Sequence, residues 1–162
     1  MQARKLNSTL NRLGKRVNAL YPDINHGGCC VYAAIVADEL DRLGVPARGI
    51  VATWTSDRGD TDIDEIRNYV ECNNVAEWEE NGVFFTHVGI EYNINGKIKH
   101  CDSNGVKDKG NILMSWAIYK GRLMIHELKQ LARSGRDWNK SFDRKDIPAI
   151  RRLIKTELRA LA

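Results

Sequence analysis

Gly27-Gly28-Cys29-Cys30-Val31-Tyr32-Ala33-Ala34-Ile35-Val36-Ala37-Asp38-Glu39-Leu40-Asp41-Arg42-Leu43-Gly44-Val45-Pro46-Ala47-Arg48 is the stretch on which the fold turns. From Cys29 to Leu43 the apolar residues are dense, while Asp38, Glu39, Asp41 and Arg42 gather late. This predicts a largely buried helix with one wet end. Gly44 suits the left-handed position that closes a helix, and Pro46 beyond it forbids continuation. Arg48–Thr55 (RGIVATWT) is β-branched and aromatic, which predicts a strand. A buried helix that opens on two glycines and two cysteines therefore runs straight into a sheet.

Upstream, Leu6, Leu10, Leu13, Val17 and Leu20 recur at spacings of three and four and predict a helix over 3–20. Pro22 stops it, and Asp23–Gly28 is a loop. Downstream, residues 56–82 are polar and weakly periodic, a surface excursion with a short helix expected near 62–70. Gly82–Asn93 is a strand, Asn95-Gly96 is a strong hairpin signal, and Lys97–Cys101 is the returning strand. A turn centred on Asn95-Gly96 pairs residues whose numbers sum to about 191. Helices are expected again near 111–119 and 123–133, then a loop with Trp138 and Phe142, then a helix over 147–161 with Pro148 in its first turn. Helices, then strands, then helices make an α+β fold. With 162 residues one domain is expected, divided into an N-terminal helix (1–22), a core (27–103) and a helical C-terminal extension (104–162).

The composition is ordinary for a globular protein, 43% hydrophobic and 28% charged, and excludes collagen, a disordered tail and a disulfide-dense mini-protein. No run of about 18 apolar residues occurs, which argues against a membrane-spanning helix. The opening MQARKLNSTLNRLGKRV has no apolar h-region, so a cytoplasmic place of action is expected. In a reducing compartment Cys29, Cys30, Cys72 and Cys101 stay thiols. The absence of any CxxC pair argues against a structural zinc site.

The net charge of +4 hides a division. Residues 57–80 carry nine acids against Arg58 and Arg67, whereas residues 120–162 carry twelve bases against five acids. The two surfaces either solvate the fold or steer partners: a basic one toward 57–80, an acidic one toward the C-terminal helices. Nucleic acid is disfavoured, because the basic residues lack interleaved stacking aromatics and no nucleic-acid motif is present. Asp60, Asp62, Asp64 and Glu71 have the spacing of a calcium loop, but Glu65 stands where the sharp turn needs Gly, which disfavours calcium.

Chemistry concentrates in three residues. Cys29 opens the buried helix, where the unpaired N–H groups and the helix dipole favour a thiolate and can hold an oxyanion. The glycines before it leave room for a substrate backbone. His87 lies within the Gly82–Asn93 strand, and the hairpin arithmetic brings it near Asp102 at the end of the returning strand. A carboxylate there orients the imidazole and supports its cation. Read separately, Cys29 and Cys30 are small core residues, His87 a half-buried histidine and Asp102 a turn residue in Asp-Ser-Asn-Gly. Their coincidence is what points to catalysis.

Gly28-Cys29-Cys30-Val31-Tyr32-Ala33 followed by Leu43-Gly44-Val45-Pro46-Ala47-Arg48 resembles the signature of the transglutaminase-like cysteine hydrolases, which share a papain-like Cys-His-Asp fold. Thr86-His87-Val88-Gly89-Ile90-Glu91 and Cys101-Asp102 are similar to that family's His and Asp strands. The resemblance spans residues 27–103 and implies a nucleophile at the start of a buried helix packed on a small antiparallel sheet. It implies a triad of Cys29, His87 and Asp102, with Cys30 a neighbour of the nucleophile. Asn25, Trp54 and Cys30 are secondary candidates around the oxyanion. NlpC-like enzymes carry Asp-Cys-Ser-Gly at the nucleophile, which is absent, and papain-like peptidases place the His further than the 58 positions found here.

The function expected is thiol-dependent acyl transfer on an amide or peptide bond, with water as the acceptor (peptidase, amidase or deamidase). No metal or organic cofactor is called for, and the expected partner is a protein or peptide substrate, basic if the 57–80 segment steers it. The competing expectation is a non-catalytic interaction module of the same fold, binding a protein or nucleic-acid partner through its charged surfaces.

Overall fold

A computed structural model describes residues 2–54, 87–107, 117–133 and 142–162. Its elements are α1 (Ala3–Leu20), a 3₁₀ turn (Pro22–Asn25), α2 (Cys29–Arg42), β1 (Ala47–Trp54), β2 (His87–Ile94), β3 (Lys97–Asp102), β4 (Gly105–Lys107), β5 (Ala117–Leu123), α3 (Ile125–Arg133), a second 3₁₀ turn (Arg144–Asp146) and α4 (Ile147–Arg159). The strands form one sheet in the order β4-β3-β2-β1-β5, and every neighbouring pair is antiparallel. Helices and antiparallel strands thus make the α+β class expected.

The apolar stripe of α1, Leu6, Leu10, Leu13 and Val17, is fully buried, as its three-and-four spacing requires. α2 is buried on nearly all sides, which explains why its sequence shows apolar density rather than a stripe. It packs against α3, α4, β1 and β2. Ile150, Ile154 and Leu158 of α4 and Leu128 and Leu131 of α3 join Val51, Val88, Ile90, Tyr92 and Cys101 of the sheet in the same core. Burying each such side chain contributes about 1.5–3 kcal/mol. Gly44 takes φ +73° just past α2, and Val45 N–H closes back on Leu40 O at 2.9 Å.

The hairpin follows the arithmetic: Ile90 pairs with Cys101 and Ile94 with Lys97. Asn95 and Gly96 both have positive φ (54° and 76°), the requirement of a type I′ turn.

The helix expected near 111–119 is corrected over its described part, since Ala117–Leu123 is strand β5. β5 pairs with β1 from Gly49↔Leu123 to Trp54↔Ala117, covering an edge that β1 would otherwise leave open. Ile118 and Tyr119 suit a strand, and pairing with β1 overrides the short-range helical pattern. With β4 also lying beyond residue 104, the C-terminal part is not a purely helical extension. The short helix expected near 62–70 and the residues around Trp138 lie outside the described residues.

Several bases of the C-terminal part face acids of this same chain. Glu39, 1% exposed on α2, takes Arg159 at 3.0 Å and Arg42 at 3.3 Å. Lys129 pairs with Asp38, and Glu157 of α4 takes Arg12 at 2.9 Å and Arg16 at 2.6 Å from α1. No described helix is long and apolar enough to cross a membrane.

Candidate active site

Cys29 is the first residue of α2 and 8% exposed. The chain reaches it through Gly27, whose φ of +115° suits glycine. Gly28 is explained differently from the sequence reading. A Cβ there would lie 2.8 Å from Ile24 Cδ1 and 2.8 Å from Phe142 Cδ2. Its missing side chain makes room for these two apolar residues, which seat the start of α2, and not for a substrate.

His87 opens the described part of β2 and Asp102 closes β3. Their numbers sum to 189, two short of the paired register, so the side chains meet diagonally across the strands. His87 Nε2 lies 3.0 Å from Asp102 Oδ2. The other carboxylate oxygen, Oδ1, accepts the Asn104 backbone N–H at 2.7 Å. Asp102 therefore serves both readings of its sequence: it shapes the turn with one oxygen and holds the imidazole with the other. With Nε2 engaged by the carboxylate, Nδ1 is the ring nitrogen left for the Cys29 thiol, which lies near enough to raise the His87 pKa. β3 pairs with β2 only as far as Ile90↔Cys101. Beyond that point β2 continues beside β1, with Val88 opposite Val51, and the Val88 backbone N–H is among the groups that lower the Cys29 pKa.

These contacts decide the charges. The Cys29 thiol is held well below its ordinary value, first by a hydrogen bond from Cys30, against the cost of burial, and then by His87 and the Val88 N–H. Burial pulls His87 the other way, but hydrogen bonds to Asp102 and Cys29 and their negative charges raise it to about 10. The pair thus favours thiolate and imidazolium over thiol and imidazole. Cys101, fully buried in the core, is pushed up by burial and by Asp102 and stays a thiol.

The secondary candidates fall in different places. Cys30 is buried beside Cys29 and supports its anion. Asn25 directs Nδ2 to Asn18 Oδ1 at 2.8 Å and to Asn104 Oδ1 at 3.3 Å, so both amide hydrogens are engaged away from the sulfur. Trp54 ends β1, and its side chain is outside the described part. Asp60, Asp62, Asp64, Glu65, Glu71, Cys72 and the acidic 57–80 segment lie outside the described residues.

Sequence reading missed Asn18 and Ser103. Asn18 donates to Ser103 O and Ser103 Oγ donates to Asn25 Oδ1. The Asp-Ser-Asn-Gly turn was the signal available, but nothing in it says which distant side chains grip it. A cavity of about 640 Å³ beside Arg48, Glu91, Arg122 and His126 touches none of Cys29, His87 and Asp102. No group of three His, Cys, Asp or Glu among the described residues is placed to hold a metal ion. No protein-family model matches the chain, and no curated protein or solved structure is significantly similar to it.

Proposed function

We propose that this chain is a cysteine-dependent acyl-transfer enzyme acting on an amide or peptide bond, with Cys29, His87 and Asp102 as its triad. The observation that carries this reading is His87 Nε2 at 3.0 Å from the buried Asp102 carboxylate, with the Cys29 thiol beside the ring and its pKa lowered by Cys30 and His87.

In the reaction, Cys29 sulfur attacks the carbonyl carbon and the carbonyl π electrons move to oxygen. First-turn N–H groups of α2, which lack partners within the helix, face the developing oxyanion. Collapse of the tetrahedral species breaks the C–N bond, and His87 gives its proton to the leaving amine. Water then attacks the thioester with His87 as base, releasing the acid and regenerating the thiolate–imidazolium pair. Asp102 keeps the ring oriented and supports its charge throughout. Water is the acceptor preferred, because an amine acceptor needs a second binding site. The acidic segment at 57–80 favours a basic peptide or protein as substrate.

The test is iodoacetamide labelling read by mass spectrometry, beside a screen of amide and peptide substrates. Cys29 should react first among the four cysteines, at a pH well below the ordinary thiol value of about 8.5. Equal, slow labelling of Cys29 at neutral pH sinks the reading and leaves the interaction module in its place.

A further inference from the structure

The turn that carries Asp102 is gripped from outside the hairpin. Asn18 of α1 donates through Nδ2 to Ser103 O and to Gly14 O (3.2 Å), and its Oδ1 accepts from Asn25 Nδ2 at 2.8 Å. Ser103, 1% exposed, donates its hydroxyl to Asn25 Oδ1. Asn25 reaches on to Asn104 Oδ1 at 3.3 Å, and the Asn104 N–H returns to Asp102 Oδ1 at 2.7 Å. Asn11, two turns earlier on α1, takes the Val106 N–H at 2.7 Å. The backbones themselves touch, since a Cβ on Gly14 would sit 2.7 Å from Ser103 O.

Apart from the Asn11–Val106 bond, which lies further along the chain, these bonds converge on two places. One is the pair of residues following Asp102. The other is Asn25, four residues ahead of Cys29 in the segment leading into α2. A brace with those two ends fixes the separation between the carboxylate and the sulfur, which is the span that one imidazole must bridge.

We infer that Asn18, Asn25 and Ser103 are positioning residues that brace the Asp102 turn against the approach to Cys29, so that carboxylate and sulfur stay on opposite sides of the His87 ring. This rests on the catalytic reading given above. None of the three touches a reacting atom. Asn25, a candidate for the oxyanion from its sequence position, acts through Asp102 instead. A displacement of about 1 Å in such a line costs on the order of 10²-fold in rate.

The experiment compares Ser103→Ala, Ser103→Thr and Asn25→Ala with the unaltered full chain. The pH profile of Cys29 alkylation by iodoacetamide is measured well below each variant's thermal midpoint. Ser103→Ala and Asn25→Ala should move the alkylation midpoint up by about one pH unit, slowing the reaction at low pH about tenfold. Ser103→Thr, which keeps the hydroxyl, should restore the original profile. Unchanged midpoints, with or without a fall in thermal stability, overturn the inference and make the three residues scaffold. If Asn25→Ala does not fold, the Ser103 pair decides alone. An ordinary thiol profile in the unaltered chain overturns the catalytic reading and this inference with it, whereas a low midpoint there with unchanged variants overturns this inference alone.

Discussion

Two histidine–carboxylate pairs stand side by side on β2 and β3, and they are wired differently. In one, His87 on β2 meets Asp102 on β3 at 3.0 Å. In the other, His100 on β3 meets Glu91 on β2 at 3.3 Å. Glu91 stands directly opposite His100 in the register, whereas His87 and Asp102 meet diagonally beyond the last pair, Ile90 and Cys101. Both pairs are largely buried. The difference lies in the third partner. Glu91 also takes Arg122 through both carboxylate oxygens, at 2.8 and 3.0 Å. That guanidinium, more than burial or His100, holds the Glu91 carboxyl below the usual carboxylate range. The charge that Asp102 lends to an imidazole is, at Glu91, already balanced by arginine. On the imidazole side, His87 has Cys29, while His100 Nδ1 is buried with no hydrogen-bond partner among the described residues. Of the two carboxylates, the one that pairs with no arginine or lysine among the described residues is the one whose histidine faces a thiol, and that makes His87 the candidate base.

The sharpest way to break this contrast is to exchange the two histidines' fates. His87→Gln should abolish turnover, by on the order of 10⁵-fold or more, with the fold kept. His100→Gln should leave kcat within about threefold and act on the melting temperature, since a group of that kind contributes to stability and not to the reaction. Substantial turnover in His87→Gln, or its loss in folded His100→Gln, would erase the distinction.

The carboxylates give the next largest difference. Asp102→Asn should lower turnover by up to about 10⁴-fold, because the amide supports neither the cation nor the required tautomer. Glu91→Gln should leave turnover nearly intact and lower the thermal midpoint by about 2–4 °C. Both are read by assaying activity beside thermal unfolding.

The pH limbs sharpen the comparison further. Turnover needs Cys29 deprotonated and His87 protonated, so its profile should rise well below the ordinary thiol value and fall near 10. His87 is raised on folding, so the stability it adds is present below its unfolded value of 6.5 and lost as pH climbs through about 10. Cys29 is lowered, so its share is present above 9.0 and lost as pH falls through the depressed value. An alkaline limb near neutrality would contradict the ion pair.

The smallest effect expected is at the second pair. Glu91 is lowered, so its contribution is full above 4.5 and disappears as pH falls through its folded value. The stability gap between the unaltered chain and Glu91→Gln should close on acidification, as followed by denaturant titrations at several pH values.

Legibility tracks how local each signal is. α1, the start of α2 and the β2–β3 hairpin come straight from short-range patterns: the Leu6 to Val17 stripe, the glycines around Cys29 and Asn95-Gly96. The hairpin arithmetic then placed His87 beside Asp102, a contact 15 residues apart in sequence yet reducible to one turn. β5 was not legible, because its identity depends on an edge of β1 some seventy residues earlier. The grip of Asn18 and Asn25 on Ser103 was hidden for the same reason. Asparagines on a helix and in a loop carry no label saying that a turn about eighty residues downstream will fill their hydrogen bonds. The role of Gly28 was misjudged because Phe142, which occupies its empty side, lies more than a hundred residues away.

The ion pairs from Arg12 and Arg16 to Glu157 have a consequence for the order of synthesis. α1 is synthesised well before the helix that it leans on, α4, which is made more than a hundred residues later. Until α4 emerges, α1 lacks that support and α2 lacks the apolar cover of Ile150, Ile154 and Leu158. On the catalytic reading, a nascent chain that ends before α4 should therefore hold Cys29 less firmly against His87 than the finished chain does, and its alkylation should quicken once α4 has been made.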